Sequence, residues 1–182
     1  MTTSKFDTLL QRYVVNAGID VTVLPGQPSP PGTMQAAHSF LYDLDLSEFR
    51  DPSMFQHLLD EKTEALRRSF PATGQFWGRA RKCMNIFLRN STYSYYLRER
   101  YTLSVIEPFL EMPLDAKAAK GLTRDTKNYN LGTLPKWDAI IRLTAETNDL
   151  WQALASQIAQ RKDTYRVHLD LCYWQRDVDS AR

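Results

Sequence analysis

Cysteine and histidine are both scarce in this chain of 182 residues. Two cysteines, Cys83 and Cys172, are too few for a disulfide framework, a four-cysteine zinc site or an iron–sulfur cluster. Both sit in apolar stretches and are expected as buried thiols. The three histidines, His38, His57 and His168, lie in separate segments without paired spacing, so neither a metal nor a cofactor is expected. The seven glycines form no phosphate-cradling loop and no Gly-x-Ser-x-Gly elbow. No run approaches the ~20 apolar residues of a membrane span, and residues 1–7 hold no apolar signal core. A soluble, cytoplasmic protein with no membrane partner is the expectation.

What is present is a composition suited to a packed core: 43% hydrophobic and 12% aromatic residues. The length suits one domain over residues 1–182, with two lobes possible. The net charge of +2 conceals an uneven distribution. Residues 1–60 carry three basic and seven acidic side chains, residues 61–100 carry nine and three, and residues 101–182 carry eleven of each. The middle segment therefore reads as the electrostatic footprint, with a polyanion as its natural partner.

Periodicity predicts helices throughout. A first helix covers 4–17, with Ser4 as N-cap and Phe6, Leu9, Leu10, Tyr13 and Val14 on one face; Gly18 is a plausible stop. Residues 20–24 are the only strand-like partner for the ambiguous segment 165–174, which is assigned to helix. Prolines 25, 28, 30 and 31 force a loop. Further helices are predicted over 33–44, over 52–69 after the Asp51-Pro52 cap, and over 75–90. Residues 91–109 continue mostly helical, and a short helix over 115–122 is expected to stop at Gly121. Residues 125–133 read as loop, 134–143 as a short helix and 147–161 as a clear one. The class is all-α, a two-lobed helical domain, with lobes of 1–70 plus 123–182 and of 71–122.

The chemistry concentrates in Gly78-Arg79-Ala80-Arg81-Lys82-Cys83-Met84-Asn85-Ile86-Phe87-Leu88, followed by Met112-Pro113-Leu114-Asp115. A lysine begins an apolar helix within a basic segment, and a Pro-x-Asp turn downstream offers it a carboxylate. An amine so placed is a candidate nucleophile. These residues resemble the helix-hairpin-helix DNA glycosylases of the endonuclease-III and 8-oxoguanine types. Gly78 falls at the first hairpin glycine, Lys82 at the lysine, Asn85 at the asparagine, and residues 86–88 at the apolar run. Pro113-Leu114-Asp115-Ala116 resembles the aspartate turn, and Lys120-Gly121-Leu122 the residues after it. The resemblance covers residues 73–122. Ala80 stands in place of the second glycine, Phe76 and Trp77 in place of Leu-Pro, and residues 91–108 read as an insertion.

The resemblance implies a helix-hairpin-helix glycosylase-like fold and a partner DNA bearing a damaged or modified base, flipped into a pocket between helical subdomains. It implies DNA repair or phage defence as the setting. Lys82, its pKa lowered by burial and by Arg79 and Arg81, would attack the sugar C1′ and form a Schiff base. Asp115 would take the lysine proton or stabilise the oxocarbenium-like charge. Gly78, Trp77, Arg79, Arg81 and Arg89 would bind the nucleic acid, and Tyr95, Tyr96 or Trp174 would stack on the flipped base.

Two other readings use the same residues or different ones. A non-catalytic helical module would bind nucleic acid or a protein through the same basic face. Arg161 and His168, separated by six residues, fit the spacing of the arginine–histidine motif of HEPN-type RNases.

Overall fold

A computed structural model describes residues 4–20 and 29–179, with side chains described up to Trp174. Every regular element among them is helical. The eight α-helices are α1 (Lys5–Gly18), α2 (Thr33–Tyr42), α3 (Phe55–Ser69), α4 (Trp77–Tyr93), α5 (Tyr95–Tyr101), α6 (Ala116–Asn128), α7 (Ala145–Arg161) and α8 (Leu169–Asp179). Short 3-10 turns link them. The strand-like residues 21–24 and the first two loop prolines lie outside the described residues. Segment 165–174 is a 3-10 turn leading into α8, so the helical assignment holds.

Local signals set several boundaries. Ser4 closes a capping box on α1: its Oγ accepts from the Asp7 amide at 3.1 Å, and Asp7 Oδ2 accepts from the Ser4 amide at 3.0 Å. Asp51 caps the 3-10 turn that begins at Pro52 and leads into α3. Three expectations fail for tertiary reasons. Gly121 does not end a helix, because α6 continues seven residues past it to Asn128. It is instead a contact point: a Cβ there would stand 2.4 Å from the Tyr173 ring. Only residues 140–142 of the segment 134–143 form a helical turn. Cys83 is buried as expected and its thiol is pushed up to about 12 by burial, but Cys172 is exposed.

Two apolar clusters make up the core. The first joins α1 to α5 and residues 103–110, with Val167 added from beyond. The second joins residues 112–122, Ile140, Leu143, α7, Leu169 and Tyr173. Val167 apart, the first is drawn from residues before Glu111 and the second from residues after it. Residues 71–110 pack with the N-terminal helices.

Helix α4 lies at this junction, and every residue from Gly78 to Leu88 is buried. It packs on α1 and α3 from one cluster and on the 140–142 turn at the edge of the other. At the latter contact Gly78 is required, since a Cβ would come 2.2 Å from the Ile140 carbonyl oxygen and 2.8 Å from Leu143. The extended segment 110–114 runs buried between the clusters. Its polar backbone is met by side chains, as a buried loop demands. Gln152 accepts from the Met112 amide at 3.0 Å and donates to its carbonyl at 2.9 Å. Arg166 donates to the Leu110 and Phe109 carbonyls at 2.9 and 2.7 Å.

Candidate active site

Lys82 and Asp115 stand 33 residues apart in sequence, and the fold brings them together. Lys82 Nζ donates to Asp115 Oδ2 at 3.3 Å. The lysine side chain is 5% exposed and the aspartate side chain 14%. Lys82 projects from the second turn of α4; Asp115 is the N-cap of α6, its Oδ1 accepting from the Ala118 amide at 2.9 Å. One carboxylate thus uses one oxygen to start a helix and the other to hold the amine.

The pair lines a cavity of about 190 Å³ together with Arg89, Asn90, Asp170 and Trp174. Asp170, near the start of α8, was not singled out in the sequence. Its carboxylate takes a short hydrogen bond from Arg89 Nη1 on Oδ2. Its Oδ1 is buried with no hydrogen-bond partner among the described residues. Burial, joined by the charge of Asp115, pushes the Asp170 carboxyl up to about 6 despite Arg89 and Lys82. No local pattern marks this residue, since its place depends on how α8 docks. Position 170 follows the His168-Leu169 pair in a segment readable as strand or helix, and only the helix turns it toward α4.

The sign of that shift gives a measurable pH dependence. A carboxyl held at about 6 in the fold, against an ordinary value of 3.8, binds its proton more tightly when folded. Its contribution to stability is fully present below the unfolded value and is lost as pH rises through about 6. The span corresponds to about 3 kcal/mol. Other carboxylates, such as Asp125, are held low and act in the opposite sense, so the comparison is with Asp170→Asn. Between pH 4 and pH 7 the wild type is expected to lose about 2 kcal/mol of unfolding free energy relative to that variant. A difference that stays flat across this range would contradict the placement of Asp170.

The expected basic surface is corrected by the structure. Arg79 and Arg81 are each 1% exposed and cannot meet a phosphate from the outside. Counting charge along the sequence cannot detect that α4 is enclosed on both sides. Arg79 lies over the Phe76 ring at 5.1 Å, its guanidinium lowered by burial. Arg81 binds Glu111 through two hydrogen bonds of 2.8 and 2.9 Å, reaches Thr63 at 3.1 Å and Asp60 at 2.8 Å, and lies over Trp77 at 5.2 Å. Glu111 also accepts from Asn85 and Asn148, at 3.0 and 3.2 Å. Burial alone would raise the Glu111 carboxyl, but Arg81 and Asn85 hold it below the usual range. The sequence did carry a signal for this network: a lone glutamate inside Phe109-Leu110-Glu111-Met112 must find a partner.

The remaining candidates separate. Gly78 is a packing glycine, and Trp77 packs on Arg81, so neither presents a hairpin to a phosphate. Arg89 faces the cavity but is committed to Asp170. Of the stacking candidates, Trp174 lines the cavity. Tyr95 and Tyr96 are 71% and 62% exposed and lie against each other, Tyr96 also against Phe6, and neither lines the cavity. Arg161 lies over Tyr129 at 5.5 Å, whereas His168 contacts Tyr93 at 2.7 Å and Glu107 at 3.3 Å, so the two engage different partners.

Comparison of the chain with protein-family models, curated proteins and solved structures finds no match to any of them. Among the described residues no group of three His, Cys, Asp or Glu is placed to hold a metal, and no helix is long and apolar enough to cross a membrane. The cavity lining offers the Lys82 amine, the carboxylates of Asp20, Asp115 and Asp170, the Arg89 guanidinium, the Asn90 amide and the Trp174 indole face.

Proposed function

We propose that the chain is a DNA glycosylase with lyase activity, excising a damaged or modified base through Lys82 and Asp115. The observation that carries this reading is their contact at 3.3 Å at the edge of a cavity, across 33 residues of sequence. An amine with a carboxylate in hydrogen-bond reach is the pairing that nucleophilic catalysis requires. The resemblance of residues 73–122 to helix-hairpin-helix glycosylases supplies the substrate class.

In this reading the Lys82 nitrogen bonds to the sugar C1′ as the bond from C1′ to the base breaks. The bonding pair leaves with the base, which takes a proton from water, while Asp115 Oδ2 accepts the proton that the amine sheds and returns it to the ring oxygen as the ring opens. Opening of the sugar ring then leaves a Schiff base between Lys82 and C1′, with the ring oxygen protonated. Arg89, tied to Asp170, keeps a positive charge beside the departing base. Asp170 Oδ1, with no hydrogen-bond partner among the described residues, offers an acceptor to a base or sugar donor. Trp174 supplies a flat face at the rim.

The test is release of free base, with borohydride trapping, on oligonucleotides that carry deaminated, oxidised or alkylated bases or an abasic site. A trapped adduct is expected with the wild type and none with Lys82→Ala. No base release and no adduct on any substrate, or an adduct undiminished by Lys82→Ala, rejects the reading.

A further inference from the structure

We propose that the exposed face of α6 is a phosphate track, seating a DNA strand that leads into the Lys82–Asp115 cavity. The proposal rests on the reading of that cavity as one that acts on DNA, and it assigns the binding surface that the buried Arg79 and Arg81 do not provide.

Lys117, Lys120, Arg124 and Lys127 follow one another at intervals of three, four and three residues, which places them on one side of a helix. All four are exposed, while Ala118, Ala119, Gly121, Leu122, Asp125 and Thr126 make up the buried side. The only acidic residue of α6, Asp125, is 3% exposed and held by Lys162 at 2.6 Å and Arg124 at 3.1 Å. The outward face therefore carries cations and no carboxylate. Lys120 and Lys127 form no ion pair among the described residues, so their charge is not spent internally.

The two ends of the stripe give it a direction. At the first, Lys117 Nζ stands 4.0 Å from the centre of the Trp174 ring, and Trp174 lines the cavity with Lys82. At the other, Lys127 borders a second cavity of about 410 Å³, which Lys136, Asn130 and Thr133 also line. Arg161 over Tyr129 adds a further cation and ring beside that end. Cations interleaved with aromatic faces suit a nucleic-acid strand better than an acidic peptide or a lipid surface. From Lys117 to Lys127 the helix rises about 15 Å, which matches roughly four nucleotide steps of one strand. Charge counting missed this face because residues 101–182 balance overall: the acidic residues of that segment lie on other elements or inside the fold.

The experiment titrates the full chain with labelled, undamaged duplex and single-stranded oligonucleotides over a range of salt concentrations. Lys120→Gln with Lys127→Gln is the test variant, and Arg68→Gln, on the exposed part of α3, is the control. The slope of log affinity against log salt should fall in magnitude by about 1.8 on duplex, or about 1.4 on a single strand, in the double variant. The control should leave it unchanged, and both variants should keep the wild-type melting temperature. An unchanged slope in the double variant, or an equal fall in the control, overturns the proposal. Loss of binding to anionic vesicles or an acidic peptide with DNA binding intact overturns it as well and reassigns the face. Base release is measured in parallel: product without a slope change rejects the track alone, and a slope change without product upholds the track and rejects the glycosylase reading.

Discussion

Glu111→Ala is expected to destabilise the protein by about 3–5 kcal/mol, the usual result of removing one partner of a buried ion pair. The variant leaves the Arg81 guanidinium, 2% exposed at its side chain, without the two hydrogen bonds that neutralise it. Asn85 and Asn148 lose the oxygen to which both donate. Asp60 and Thr63 still hold one arm of Arg81, which keeps the loss from growing larger. For a domain of this size the melting temperature should fall by roughly 6–20 °C. Arg81→Leu combined with Glu111→Leu should recover most of that loss, because removing both charges leaves no uncompensated one. Thermal or urea unfolding of the two single variants and the double variant measures the coupling. Additive losses would show that the pair does not act as a unit.

Under the proposed glycosylase reading, Asp115→Asn should reduce base release by on the order of 10²–10⁴-fold, the range attributed to a positioned acid or base. The substitution is informative because it separates two roles of one residue. Asparagine caps helices as well as aspartate does, so the bond to the Ala118 amide and the start of α6 should survive. What is lost is the group able to take a proton from Lys82. Oligonucleotide affinity should stay within a few-fold of wild type, while turnover at saturating DNA collapses. Asp115→Ala removes the cap too and should cost about a further 1 kcal/mol of stability. If Asp115→Asn keeps full turnover, the carboxylate has no part in the reaction and serves the helix alone.

How much of this was legible in the chain varies with the range of the interaction. Ser4, Asp51 and Pro52 act on backbone groups within four residues, and they marked helix starts correctly. The Lys82–Asp115 contact was suggested by the Pro-x-Asp turn and by the resemblance of residues 73–122, and the fold brings the two within 3.3 Å. Gly121 misled because its neighbour is Tyr173, 52 residues away, and nothing nearby in sequence reports that ring. Arg79 and Arg81 misled for the same reason. Their partners arrive from α3, the segment at Glu111 and the Phe76-Trp77 turn, so a run of charge that reads as surface became interior. Asp170 and the cationic side of α6 were invisible to counting, since each depends on which face of a helix the fold turns outward.

The divided carboxylate of Asp115 has a mechanical consequence. With Oδ1 bonded to the α6 backbone and Oδ2 to Lys82, the group cannot swing toward a ligand without releasing one of them. Its orientation is already fixed, so in the proposed reaction no rotamer search would precede proton transfer. The Asp115 cap opens the helix whose exposed side carries Lys117 in its first turn and Lys120 in its second. A single side chain thus joins the amine of α4 to the start of α6.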